Sequence, residues 1–220
     1  MVALTGPDHD CALCPRLARF RQENRDAQPD WHNAPVPSFG RRDARLLIVG
    51  LAPGRRGANR TGRPFTGDFA GDVLYPALLA HGFARGDYRA SIDDGFELND
   101  CRVSNAVRCV PPLNRPTTEE IRTCGTFLAR EMDGMASLTA ILALGRIAHD
   151  AVLRARKLAR TPYPFAHARH HALADGRVLI DSYHTSRLNT NTGRLTDAMF
   201  MDVVRSIRLL LADAAGECLS

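Results

Sequence analysis

Residues 45–51, RLLIVGL, run directly into residues 50–71, GLAPGRRGANRTGRPFTGDFAG, and this junction decides the fold. The first segment is a short, continuously apolar run of β-type residues, the pattern of a strand covered on both faces of a sheet. The second has neither helical nor alternating periodicity and is punctuated by glycine, proline, arginine and asparagine, so it reads as a loop. A loop at the carboxyl end of a buried strand is where open α/β sheets bind ligands, and glycine lets the backbone come close to them.

Outward from this junction, residues 103–107, 138–144 (LTAILAL) and 177–181 repeat the strand pattern, and amphipathic stretches lie between them. Helices are predicted over residues 68–82, 118–134, 146–156 and 196–212. The second has the clearest start: Thr117 precedes it, Glu120 follows three residues later in a capping-box arrangement, and Pro116 stands before both. Residues 161–171, rich in proline and histidine, read as a loop, and there is no internal repeat. Alternating strands and helices predict a three-layer α/β/α sandwich around a central, mostly parallel four-stranded sheet, formed as a single domain over residues 1–220.

Composition agrees with a globular chain of 220 residues, 45% hydrophobic and 24% charged. No stretch approaches the roughly 20 apolar residues of a membrane-spanning helix. The opening MVALTGPDHDC lacks a secretory pattern, so a cytoplasmic protein is expected. The net charge is +5, and Lys157 is the sole lysine among 29 basic residues. An arginine excess suits phosphate oxygens, although a GC-rich genome yields the same bias.

In a reducing compartment the cysteines point to metal ligation rather than disulfides. Cys11 and Cys14 form a C-x2-C pair, Cys109 lies in the proline-rich CVPPLNRPT, and Cys124 follows in the next helix. Four thiolates from two separated segments suit zinc or an iron–sulfur cluster, and spacing leaves both open. Cys101 and Cys218 fit the plainer role of small hydrophobes.

The glycine-rich loop matches neither G-x-G-x-x-G nor G-x4-G-K-[ST], which disfavours a nucleotide-phosphate loop. Its inventory is a flat ring at Phe65, a carboxylate at Asp68, and donors at Asn59, Arg60 and Arg63. That set suits a planar heterocycle.

Taken in order, GLAPG, NRTGRPFTGD, SNAVRC and the late HTSRLN resemble the family 5, or B-type, uracil-DNA glycosylases. The resemblance runs from about Cys11 to the last helix. It implies a [4Fe–4S] cluster on Cys11, Cys14, Cys109 and Cys124, with a structural role in a hydrolytic enzyme. It implies DNA as the partner, double- or single-stranded and carrying uracil or other deaminated bases, and a monomer with no membrane association. The related A-type enzymes have an acidic residue where this chain has Leu51, which leaves Asp68 as the carboxylate for water. Many relatives show His-Pro-Ser-Pro where this chain reads HTSRLN.

By that resemblance the target base is flipped from the duplex. Gly50, Ala52 and Gly54 would admit backbone to it, Phe65 would stack on it and Asn105 would bond its pairing edge. Asp68 and His184 would be catalytic, orienting water and donating to the departing base. Arg60, Arg63, Ser186, Arg187 and Leu188 would contact DNA, with Leu188 as the wedge. His167, Arg169, His170 and His171 form a basic loop suited to the DNA backbone or to an adventitious metal. An alternative of another class is a non-catalytic DNA-damage-binding module of the same fold. All of this requires the ends of the first, second and fourth strands to bring Phe65, Asn105, Asp68 and His184 around one cavity.

Overall fold

The computed structural model describes residues 6–214 and 216, so Cys218 lies outside the described residues. Along the chain the elements are α1 (Pro15–Ala27), β1 (Leu46–Gly50), α2 (Ala58–Thr61), α3 (Phe69–Ala80), β2 (Ala84–Arg85), β3 (Glu97–Leu98), β4 (Cys101–Asn105), α4 (Thr118–Asp133), β5 (Ala140–Leu144), α5 (Arg146–Ala155), β6 (His170–Ala172), β7 (Val178–Ser182), α6 (Arg187–Asn191) and α7 (Asp197–Ala214). The main sheet has the order β4-β1-β5-β7-β6, and β2 with β3 forms a small separate ribbon. The first four strands are parallel and β6 is antiparallel to β7.

The four expected strands are all present, but the sheet has five rather than four. The addition is β6, whose sequence HHA carries no apolar run, and it overlaps the end of the stretch 161–171 expected to be loop. Its pairing comes from its neighbour: Ala172, His171 and His170 lie opposite Val178, Leu179 and Ile180.

Alternation along each strand builds two cores. Leu46 and Ile48 of β1 face α3 and α7, packing with Leu74, Leu78, Val204 and Ile207. Leu47 and Val49 face the other way, toward Leu17 of α1, Leu128 of α4 and Val152 of α5. Each strand is therefore covered on both sides, which explains the unbroken apolar sequence of β1 and β5.

Helix α1 was not expected from the sequence. Its buried residues are Leu17, Arg21 and Asn24, so two of the three inward positions are polar and the apolar period is missing. Arg16 holds it to α4, with Nε and Nη2 donating to the Glu120 carboxylate at 2.8 and 2.7 Å. Glu120 also completes the expected capping box with Thr117.

Candidate active site at the strand ends

Gly50 ends β1 directly across from Asn105, the end of β4. A Cβ on Gly50 would stand 2.5 Å from Asn105 Oδ1 and 2.5 Å from Phe65 Cζ, so both side chains converge on that bare Cα. Phe65 is buried and holds a left-handed backbone, φ 54°, in a turn flanked by Gly62 at 80° and Gly67 at 82°. Such a φ is uncommon outside glycine and stores strain that the surrounding contacts must hold. One contact is very tight: a Cβ on Gly71 would lie 1.6 Å from the Phe65 carbonyl oxygen, so only glycine lets α3 pass there.

Asp68 caps α3, accepting from the Gly71 backbone N–H at 3.2 Å. Its carboxylate sits against Gly54 and Gly57, whose added Cβ atoms would come within 3.1 and 2.4 Å of Oδ2. Burial pushes its pKa up, and the Gly71 N–H only partly offsets that. A side chain that serves as helix cap is thus also aimed at the cavity; capping and a role in the site are compatible.

His184 follows the end of β7. Its ring stacks beside Phe65, with centroids 6.3 Å apart and planes 30° apart. Burial lowers its pKa from 6.5 to about 4, so the imidazole is neutral near pH 7. Asn189 Nδ2 donates to the His184 carbonyl at 2.8 Å and fixes the loop.

Phe65, Asp68, Asn105 and His184 line a single cavity of about 420 Å³ together with Leu51, Ala52 and Gly54. Two polar atoms here, Asn105 Oδ1 and His184 Nδ1, are buried and have no hydrogen-bond partner. An unsatisfied buried polar atom costs about 1–3 kcal/mol, so a pair in one cavity marks a place built for a polar ligand.

The expected DNA contacts divide. Arg60 is exposed on α2, and Arg187 and Leu188 are exposed at the start of α6, with Leu188 at 72% and Arg187 lying over the Phe69 ring of the cavity wall. Ser186 lines the cavity and caps α6. Arg63 is a correction: it does not reach DNA. Its side chain is only 5% exposed, and it clamps Asp94 with Nη1–Oδ1 at 2.8 Å and Nη2–Oδ2 at 2.7 Å. Phe39, Tyr75, Tyr88 and Phe96 surround the guanidinium at 5.2–5.9 Å. Sequence reasoning missed this cage because Asp94 lies far along the chain.

The histidine stretch also divides. His171 is buried, and its Nε2 pairs with Asp181 Oδ2 at 3.0 Å. His149 of α5 pairs with Asp181 Oδ1 at 2.7 Å and with the Tyr163 carbonyl at 2.9 Å. These contacts pin residues 161–171 against β7, and they take His171 away from DNA. His149 and Asp181 were not singled out from the sequence, where they stand 32 residues apart with no local sign that they meet.

Away from the cavity, Cys11, Cys14, Cys109 and Cys124 line one small pocket between α1, α4 and the loop after β4. Donors point at its sulfurs: the Arg108 backbone N–H lies 3.3 Å from Cys124 Sγ, and Arg21 Nη1 lies 3.9 Å from Cys109 Sγ. Among the described residues, the group of ligand atoms mutually within 4.8 Å is His149, His171 and Asp181, and no three of these sulfurs meet that limit.

A hydrophobic-walled cavity at parallel strand ends, with a ring, an amide, a carboxylate and a neutral imidazole, defines a site for a planar, polar heterocycle. The family model described as the uracil DNA glycosylase superfamily matches residues 37–208, which contain all of these cavity residues. The chain is 44% identical to the type-5 uracil-DNA glycosylase of Thermus thermophilus, over 91% of this chain and 93% of that one. It is 41% identical to the type-5 enzyme of Pyrobaculum aerophilum, over 89% and 87% respectively. A type-4 uracil-DNA glycosylase of Archaeoglobus fulgidus aligns over only 51% of this chain, at 35% identity. The chain belongs to the uracil DNA glycosylase superfamily, within its type-5 branch.

Proposed function

We propose that this chain excises uracil from DNA by hydrolysing its N-glycosidic bond, leaving an abasic site for base excision repair. The observation that carries this reading is the convergence of Phe65, Asn105, Asp68 and His184 on one cavity in a member of this family. Phe65 offers its face to the flipped base. The unpartnered Asn105 Oδ1 suits the N3–H of uracil, a donor that cytosine lacks.

As the bond breaks, negative charge gathers on the base and positive charge on the sugar. The His184 imidazole, neutral near pH 7, donates to the base carbonyl. The Asp68 carboxylate orients or deprotonates water and favours the sugar cation. Leu51 lines the cavity but offers no carboxylate, which leaves Asp68 as the cavity's acid. Arg60, Ser186 and Arg187 hold the backbone, and exposed Leu188 fills the vacated stack. The target is a base in double- or single-stranded DNA, acted on by a single-domain monomer in the cytoplasm. No helix among the described residues is long and apolar enough to cross a membrane.

Cys11, Cys14, Cys109 and Cys124 would hold a [4Fe–4S] cluster. Their fit rests on the shared pocket and on the donors aimed at its sulfurs from Arg108 and Arg21; four thiolates suit zinc as well as a cluster, and the type-5 resemblance is what favours the cluster. When bound, the group would supply a structural cross-link between α1 and α4.

The test is incubation of the protein with uracil-containing oligonucleotides, followed by cleavage of abasic sites. Excision by the wild type and its loss in Asp68→Ala are expected. Tight binding with every uracil left intact would instead establish the non-catalytic DNA-damage-binding reading. Iron and acid-labile sulfide analysis, with visible absorption, tests the cluster separately.

A further inference from the structure

A second cavity, of about 340 Å³, adjoins the first and shares Leu51 and His184 with it. Its other walls include Gly145, Arg146, Phe165, Tyr183 and Arg194. It lies over the ends of β1 and β5. The chain leaving β1 crosses to β4 and the chain leaving β5 crosses to β7, so the two connections diverge at this crevice, the favoured ligand position of open α/β sheets.

The lining chemistry is aromatic and cationic. Arg146 stands over the Phe165 ring at 5.2 Å and Arg194 over the Tyr183 ring at 4.5 Å. The Phe165 and Tyr183 rings are 6.2 Å apart and tilted by 48°. Among the described residues neither arginine forms an ion pair, whereas Arg63, Arg102 and Arg108 are each matched to a buried carboxylate. His167 stacks on Tyr183 at 4.9 Å, so an incoming ring is offered the Phe165 side and the guanidinium planes. Aromatic rings beside unpaired guanidinium groups recognise a nucleotide: its base stacks on ring or guanidinium, and its phosphate pairs with the charge.

We propose that this second cavity binds the nucleotide next to the flipped one on the same DNA strand. Its base packs against Phe165, and Arg146 and Arg194 hold base and phosphate. The shared wall at His184 makes the two sites neighbours within one nucleotide step. This assignment rests on the reading that the first cavity takes a nucleotide of DNA. It makes Phe165 and Arg194 determinants of flanking-sequence preference, at a distance from the bond being broken.

The experiment uses single-stranded oligonucleotides with one uracil, flanked on either side by a normal base or by an abasic spacer. For the wild type, a spacer on one side is expected to lower kcat/KM by about tenfold, the scale of one lost base–aromatic stack. Phe165→Ala and Arg194→Ala are expected to process the fully based strand at the wild type's spacer rate, and to show no further loss with the spacer. An equal spacer penalty in the wild type and both variants overturns the proposal, as does no penalty in the wild type. Arg194 is exposed, so its replacement keeps the test valid should Phe165→Ala fail to fold.

A turnover-free arm separates this inference from the activity itself. Strands carrying 2-aminopurine beside a tetrahydrofuran abasic site are titrated with protein. A fluorescence change in the wild type that is lost in Phe165→Ala and Arg194→Ala supports the second site even if no uracil is excised. Excision of uracil without such a change overturns the second site alone.

Discussion

Arg63 and Asp68 lie in the same loop, and the structure uses them in opposite ways. Arg63 points inward to a fully matched cage: a bidentate carboxylate at Asp94, a hydroxyl at Thr66 and four surrounding aromatic rings. Asp68 points to a cavity in which Asn105 Oδ1 and His184 Nδ1 have no partners at all. The cage spends its polar groups on holding the loop, and the cavity leaves them available for a ligand. The strained turn at Phe65, φ 54°, sits between the two, where the rigidity of one side can sustain the unfavourable backbone of the other.

Breaking the cage should give the largest effect. Arg63→Ala leaves the Asp94 carboxylate buried without its partner, and loss of one member of such a pair costs about 3–5 kcal/mol. Urea unfolding monitored by circular dichroism measures it, and a loss below about 1 kcal/mol would show that the cage is not what holds the loop. Because Arg63 keeps Asp94 well below its ordinary value of 3.8, the pair's stability is present above that pH and is lost as pH falls further.

Asp68→Asn makes the reverse test. Asparagine also caps helices, so α3 should persist. Excision should fall about 10² to 10³-fold, the usual loss for one electrostatic group. Stability should hold or rise, since burial already disfavours the ionised carboxylate. Parallel loss of activity and of melting temperature would place Asp68 with the cage instead.

The contrast sharpens with pH. Activity that needs the Asp68 carboxylate is present above its raised pKa and declines as pH falls through it, so the acid limb of kcat/KM should lie above 3.8 in the wild type. His184 contributes a separate stability change. Its pKa is lowered, so its contribution is present above 6.5 and is lost as pH falls toward about 4. In His184→Gln, melting temperatures compared across that window should lose this part of their pH dependence.

Gly50→Ala probes the seam between cage and cavity. The added methyl meets Phe65 and Asn105 at 2.5 Å, and overpacking of that kind costs about 1–3 kcal/mol. Base binding should weaken with folding, read as a higher KM beside a lowered urea midpoint. The smallest effect is expected from Leu188→Ala. That side chain is exposed, so folding should be unchanged while excision from duplex falls more than excision from single strands.

The parallel core was legible because β1 and β5 are covered on both faces by apolar packing, and that requirement writes itself as the unbroken runs LLIVG and AILAL. The positions of Phe65, Asp68, Asn105 and His184 were legible because they follow or end β1, β4 and β7, and a parallel sheet brings such ends to one side. Local sequence chemistry also set the start of α4, where Thr117 and Glu120 satisfy each other within one turn.

What lacked a local signal was decided by partners distant in the chain. Helix α1 buries Arg21 and Asn24, held inside because the Cys11 carbonyl accepts from Arg21 and Arg55 Nε, 31 residues further on, donates to Asn24 Oδ1. Strand β6 exists because β7 offers it an edge, and His171 is inside because Asp181 accepts from it. Arg63 looked like a surface cation until Asp94 met it. Apolar burial is announced along the sequence by period, whereas the burial of a charged or polar group depends on a partner that only the folded chain supplies.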